Sequence, residues 1–544
     1  MRIRWEVLVV PLFFACSHAA LGGPALTVLH AFGFGETSAA NPYSEVILAS
    51  DGQLYGTTAA GGSANLGTVF KVNQDGSGFH VLKSFQGGTN DGALPVASLL
   101  EGMDGLLYGT TEEGGQLGVG TVFRIAKDGT SFALLKNFTG DTDGAYPESQ
   151  LLQASDGLLY GTASGGGTND FGTVFRMATD GSGFASLVQF AGTNGANPES
   201  GLIEASDGML YGTTSYASDT NLGAIFRLQK DGTGFSAVKM FLILAPFHSG
   251  TVPNEGHPQS SLVEGTNGML YGTSLGAGTN QTGVVYRVNK DGTDFRMMYH
   301  FGSLSSADGR IPVGRLILAS DGWLYGTTYD GGTNGIGTVF KITHDGTGYG
   351  VIASLAVAQG PGAGLLESTN GILYGTTQLG GVSSDGAIFS LMKDGSSFAV
   401  LKSLSASGQD GSVPSSSPIS SATNQLFGST RSGGTLGAGT VYSLRFDGVG
   451  YAPISSLEPA GGPVDPLGSL GVRREFGSDL FSLEREYWSG ISQRAHSGER
   501  RSALRNHGSG RQQRCGHNLP SQPGWHRLYG FAKPRSRPFH HNWR

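Results

Sequence analysis

The chain has 544 residues, and its 91 Gly and 21 Pro make up about a fifth of it, short of the roughly 25–30% at which disorder becomes the expectation. The net charge of -7 divides unevenly: residues 473–544 hold 13 Arg and one Lys against five acids, leaving 21 basic and 37 acidic residues upstream. An acidic body excludes nucleic acid as its partner, because phosphate neutralisation needs clustered Lys and Arg. The two cysteines, Cys16 and Cys515, stand at opposite ends and leave the body without a disulfide or a thiolate metal site.

Residues 1–20, "MRIRWEVLVVPLFFACSHAA", open with Arg2 and Arg4, run apolar from Val7 to Ala15 and end in small residues. That is the layout of a secretory signal peptide cleaved after Ala19 or Ala20, and the run is too short to span a bilayer as a helix. A lipoprotein signal ending at Cys16 is the alternative, although bulky Phe13 and Phe14 precede it. No other stretch is long and apolar enough to span a membrane, and the expected location is extracellular or on the cell surface. Next comes "LTVLHAF", residues 26–32, which reads as the last strand of a repeat whose first three strands are missing.

From there one phrase returns. "LYGT" begins at Leu54, Leu107, Leu159, Leu210, Leu270, Leu324 and Leu373, with "LFGS" at Leu426, at spacings of 53, 52, 51, 60, 54, 49 and 53 residues. The second copy, residues 94–138, contains four short runs: "ASLLEG", "LLYGTT", "GTVFRIA" and "SFALLKNF". Each suits a pleated strand and none has helical spacing. Four strands, a to d, in about fifty residues match a propeller blade of the kelch size class. The fold class is therefore all-β, a β-propeller of eight four-stranded blades over residues 25–458, closed by the spare N-terminal strand. Seven blades or an open β-solenoid are the alternatives.

Asp-Gly dipeptides, with Asn267 and Asn370 as variants, separate a from b and c from d. They suit tight hairpins with primed turns, and the exchange of Asp for Asn favours a turn role over a ligand role. In an antiparallel blade these turns share one face, and the b-c and d-a loops share the other. The d-a loops end in Pro95, Pro147, Pro198, Pro258, Pro312 and Pro414. Variable loops on a rigid scaffold are where binding concentrates, so the candidate ligand face holds Glu112, Glu113, Asn169, Asp170, Tyr216, Asp219, Tyr329 and Asp330, acids and aromatics that would suit sugar recognition. The loop after the fourth d strand, "FLILAPFHSGTVPNEGHP", exceeds its counterparts and offers Leu242, Ile243, Leu244 and Phe247 as an apolar contact surface.

No localised cluster of a nucleophile with its base, or of paired carboxylates, stands apart from the repeat. No catalytic residue, metal ligand or cofactor is assigned. "DTDG", Asp141 to Gly144, echoes the start of a calcium loop without the acidic ligand that should follow; calcium is kept as a weak alternative to a d-a turn.

A ninth unit starts at residues 459–472, with Pro466 and Leu470 in register, and then stops. The basic segment 473–544 lacks any period, and is expected to be disordered or to follow a reading-frame shift. A genuine anion-binding tail is the rival. The unit "DGxLYGTTxxGGxxxxGTVFxxxxDGxxFxxLxxF" resembles the GloVer tandem repeat of the choice-of-anchor GloVer-containing bacterial proteins. That resemblance implies repeats followed by a surface-sorting or anchoring segment and carries no defined activity. This chain shows no terminal apolar anchor after its repeats. Together these readings predict a secreted or cell-surface, monomeric, non-enzymatic binding scaffold for a polysaccharide or surface protein. The alternative is an extracellular carbohydrate-active enzyme or lectin using the b-c and d-a loop face.

Overall fold

A computed structural model describes residues 27–31, 39–216, 221–242, 255–303, 307–356, 358–406 and 410–447. The expected signal peptide, the incomplete ninth unit and the basic segment lie outside the described residues. The chain divides into units Met1–Pro466 and Leu467–Arg544, and only the first contains described residues.

The described residues form eight antiparallel four-stranded sheets in a ring, the blades of a propeller. In blade 2 the strands are a, Leu100–Glu101; b, Leu107–Thr111; c, Thr121–Ile125; and d, Ala133–Asn137. Blade 8 takes strands a to c from Ile419–Ser420, Gln425–Thr430 and Thr440–Arg445, and its d strand is Thr27–Ala31 from the other end of the sequence. This added strand pairs Thr27 with Ser443 and Ala31 with Thr440, and breaks register between Val28 and His30. Blade 2 has the same break, between Val122 and Phe123. The closing strand thus reproduces the bulge of an ordinary c-d pair and covers an edge that would otherwise template association.

The period-2 alternation of each b strand explains the ring. Leu107 and Phe123 face the preceding blade, where they pack with Tyr55, Val69 and Phe85. Tyr108 and Val122 face the following blade, against Leu159 and Phe175. The same division recurs at every seam, giving eight apolar clusters in all. Blade 8 joins blade 1 through Phe427 and Val441 against Leu54 and Phe70. Since both faces of the strand are buried, "LYGTT" is buried throughout.

The glycine of "LYGT" has a steric cause. A Cβ on Gly109 would stand 2.5 Å from Cζ of Phe123, and one on Gly56 would stand 2.6 Å from that of Phe70. The c-strand aromatic ring lies across the b-strand backbone, and only a residue without a side chain leaves room for it.

The hairpins differ from the primed turns expected. Ala49 and Gln53 close a three-residue loop, with the Gly52 N–H donating to the Ala49 carbonyl and the Ala49 N–H to the Gln53 carbonyl. Only Gly52, at φ 78°, is left-handed there. This is a type I turn followed by a glycine bulge. Asp51 adopts ordinary negative φ, and its Oδ1 accepts the Gln53 N–H at 3.1 Å. The acid is therefore selected as an acceptor, and left-handed backbone is required only of the glycine.

Candidate functional site

Most of the repeated polar groups are engaged between blades. On the turn face, the Tyr108 phenol donates to Asp104 at 2.6 Å and to the Thr179 carbonyl of the next blade at 3.3 Å. Burial first, then Asp104, pushes that phenol up to about 12. Where Asn replaces Asp the polarity reverses, and Asn267 Nδ2 donates to the Tyr271 oxygen at 2.8 Å. Ser50 donates its N–H and hydroxyl to Glu101 of the next blade, and Lys127 closes an ion pair with the same carboxylate. Ser155–Glu204–Lys230, Ser206–Glu264–Lys290 and Ser320–Glu367–Lys393 repeat this bridge. The "LYGT" threonine donates to a carbonyl just before strand a of the following blade, as in Thr57 to Ala97 at 3.0 Å and Thr376 to Ser416 at 3.0 Å.

The b-c and d-a loops are less free than sequence alone suggests. In each blade the d-a loop pairs with the b-c loop, either as a two-residue ribbon such as Gly92–Ala93 with Glu113–Gly114 or as a single bridge such as Ala145 with Gly165. Below the ribbons, lysines of strand d pair with acids of the d-a loop: Lys83–Asp91, Lys136–Asp143, Lys239–Glu255 and Lys402–Asp410. Asp143, from "DTDG", accepts Lys136 and both the N–H and hydroxyl of Thr139. Burial alone would raise this carboxyl, but those donors outweigh it and hold it below the usual range. Its oxygens already serve the turn. Among the described residues no group of three or more His, Cys, Asp or Glu is placed to hold a metal ion.

The candidate ligand residues are spread over four blades. In blade 2, Glu112 is buried at 8% exposure and Glu113 is exposed in the ribbon. In blade 3, Asn169 is exposed, while Asp170 sits at φ 60° with Oδ1 accepting the Gly166 N–H at 2.9 Å. Asn65 makes the same bond to Gly61 in blade 1, which marks this position as a turn former. In blade 4, Tyr216 is 38% exposed with its ring 5.4 Å from that of His257, whose Nδ1 meets the Ser215 carbonyl. Burial holds the His257 imidazole below its ordinary value. In blade 6, the half-buried Tyr329 lies over Gly360, where a Cβ would meet the ring at 2.7 Å, and Asp330 stands in the ribbon opposite Arg310. Burial, then Asp330, raises the Tyr329 phenol. Leu242 ends a d strand at 38% exposure and donates its N–H to Glu255. Asp219, Ile243, Leu244 and Phe247 lie outside the described residues.

Other features of this face were missed in sequence. Arg431 lies 4.1 Å over the Tyr43 ring at the closing seam, and Ser164 donates to Glu148 at 3.3 Å. Arg431 occurs at its position in blade 8 alone, which was the available signal, whereas blade 4 carries the same Ser215 and Glu199 as blade 3. The turn face also holds two open clefts. One of about 500 Å³ is lined by Gln74, Asp75, Thr423, Asn424, Gln425 and Arg445 at the seam of blades 8 and 1. The other, of about 410 Å³, is lined by Asp321, Trp323, His344 and Asp345 among others. At the first, Phe427, Leu48 and Gln74 stand where four other seams carry the bridging Tyr, Glu and Lys. Thr343 and Thr347 also line the second cleft and donate their hydroxyls to Asp345, and the Thr347 bond is the one that Thr130 and Thr233 make to the acids of their own c-d turns.

The model of a family described as the Gloeobacter/Verrucomicrobia repeat matches residues 17–226 and 201–442. Among solved structures, a Bacteroides uniformis protein provisionally assigned as a 6-phosphogluconolactonase is similar at 16% identity, covering 65% of this chain and 95% of its own, with a TM-score of 0.39. A Bacteroides fragilis protein of the same provisional assignment is similar at 18% identity, covering 66% and 94%, with a TM-score of 0.40. At those values the likeness bears on neither activity nor ligand. No curated protein matches the chain.

Proposed function

The chain belongs to the Gloeobacter/Verrucomicrobia repeat family, and from that premise we propose that it is a secreted or cell-surface propeller that binds a polysaccharide or surface protein without transforming it. The observation that carries this reading is the division of labour among polar groups. Those repeated from blade to blade are engaged in turns and interblade bridges, whereas the b-c and d-a loop face presents exposed side chains that differ from blade to blade, Glu113, Asn169 and Tyr216 among them. Such a surface has geometry suited to recognition, and no catalytic constellation accompanies it among the described residues. Export is supported by Arg2, Arg4 and the apolar run Val7 to Ala15.

The test is a glycan array joined to a polysaccharide hydrolysis screen on the full chain, with Glu113→Ala, Tyr216→Ala and Tyr329→Ala as loop-face variants. Binding without turnover, weakened by these changes, is the expected result. Hydrolysis abolished by loop-acid changes would overturn the proposal in favour of a carbohydrate-active enzyme. N-terminal sequencing of protein recovered from the medium or cell surface tests the export step, with a start at Leu21 or Ala20 expected.

A further inference from the structure

The seam between blades 5 and 6 departs from the repeat in a concerted way. Where four blades place a lysine in strand d against an acid of the d-a loop, blade 5 has Tyr299 against Asp308. Where the next blade elsewhere offers a phenylalanine, as Phe132 does beneath Lys83 and Phe184 beneath Lys136, blade 6 has Tyr349. Both phenols donate to the one carboxylate at 2.8 Å, Tyr299 to Oδ2 and Tyr349 to Oδ1. The Ser303 and Gly309 N–H groups, at 3.1 and 2.9 Å, complete its acceptor shell, and Asp308 is 3% exposed. The two rings stack face to face, with centroids 3.4 Å apart and planes 12° from parallel. Both tyrosines are half-buried.

An ion pair beside an aromatic ring has thus become a pair of superposed phenols sharing a base. We propose that Tyr299 and Tyr349 form an oxidative modification site, at which a one-electron oxidant of the peroxidase class joins them into an intramolecular dityrosine that locks blade 5 to blade 6. Each phenol gives one electron to the oxidant and its hydroxyl proton to the Asp308 carboxylate, from which solvent carries it away. The two phenoxyl radicals, with spin on their ortho carbons, form one Cε–Cε bond. Each ring then loses its ortho proton to solvent and regains its phenol. Per cross-link two electrons and two protons leave the protein and reduce one hydrogen peroxide to two waters. Stacking holds the coupling carbons together, and the shared carboxylate keeps both hydroxyls on the same side. The inference stands whether or not the loop face binds a ligand.

The experiment treats the full chain with hydrogen peroxide and a haem peroxidase, reads dityrosine fluorescence, and maps linked peptides by mass spectrometry. The expected product is a monomeric chain with the Tyr299 and Tyr349 peptides joined and lighter by two hydrogens. Tyr299→Phe and Tyr349→Phe should each lose that link while keeping the ring, and Asp308→Asn should slow its formation. Guanidinium-unfolded wild-type chain should lose the selectivity, which keeps the test decisive if a variant fails to fold. Links that join other tyrosines, such as exposed Tyr216, or that form only between molecules would overturn the proposal. So would persistence of the same linked peptides in either phenylalanine variant.

Discussion

Two blades replace the c-strand phenylalanine by tyrosine, and each replacement buries a hydroxyl with nothing to bond. Tyr286 and Tyr442 are fully buried, and neither phenol oxygen has a hydrogen-bond partner. Each oxygen lies over the "LYGT" glycine, where a Cβ on Gly272 or Gly428 would come within 2.3 Å of it. An unmet buried hydroxyl costs about 1–3 kcal/mol, whereas the ring contributes the same apolar contacts without it. Tyr286→Phe should therefore stabilise the propeller by about 1–3 kcal/mol and preserve the edge contact with Phe241 at 5.2 Å. Blades 6 and 7 separate the two sites, so Tyr442→Phe should add to it independently. The control is Tyr211→Phe, which removes a phenol that donates to Asp207 at 2.8 Å and should destabilise by about 1.5–3 kcal/mol, the range for a bond to a charged group. Urea unfolding followed by tryptophan fluorescence measures all three. A Tyr286→Phe variant less stable than wild type would mean that the hydroxyl has a buried partner, such as an ordered water, and the reasoning would fail.

Three further outcomes follow from the joints. Gly109→Ala forces a methyl against Phe123 and should cost about 1–3 kcal/mol by overpacking, partly recovered in the double variant with Phe123→Leu; equal loss in the presence of either residue at 123 would refute the steric explanation. The bridging glutamates predict acid lability. Burial alone would raise Glu101, Glu204, Glu264 and Glu367, but their lysine and serine partners outweigh it and hold them below the ordinary 4.5. A carboxyl lowered on folding contributes stability that is full above its unfolded value and is lost as pH falls through the folded one. Glu204→Gln should thus cost about 1–2 kcal/mol at pH 7, between the exposed and buried ion-pair cases, and converge on wild type as pH falls through the folded carboxyl's value, read in unfolding midpoints measured from pH 7 into the acid range. Deleting everything before residue 39 removes the closing strand, leaves Thr440–Arg445 as an open edge, and should produce concentration-dependent association by light scattering.

The architecture was legible because the repeat is written in side-chain periodicity. Fifty-residue spacing, four β-rich runs and a spare strand at residues 26–32 led to eight blades and to the manner of closure. The turn chemistry was only half legible. Asp-Gly identified a hairpin, but a three-residue loop with a bulge and a two-residue primed turn use the same dipeptide, and only the hydrogen bonds of Ala49 and Gln53 distinguish them. The loop face was least legible. Glu112 and Asp170 read as candidate ligand contacts because nothing in a linear pattern shows that one is buried and the other caps a turn. The Tyr299–Asp308–Tyr349 cluster was invisible because its members lie on two blades, up to fifty residues apart.

This pattern says where function should be sought in a chain of near-identical units. A residue present in every blade is required by what every blade does, which is to hold its neighbour, and "LYGTT" shows this atom by atom. Its leucine and tyrosine fill opposite seams, its glycine admits a ring, and its first threonine bonds the following blade. Repeat consensus therefore reports stability and is silent on ligands. Information about a partner can reside only where one blade differs from the rest, and the structure reduces those places to a few: Arg431 over Tyr43 and the cleft at the closing seam, the Tyr216 end of blade 4, and the paired tyrosines between blades 5 and 6. Of these, Tyr216 is 38% exposed and lies outside the interblade Ser–Glu–Lys bridges, so a loss of binding in Tyr216→Ala would reflect recognition and not the collapse of the ring.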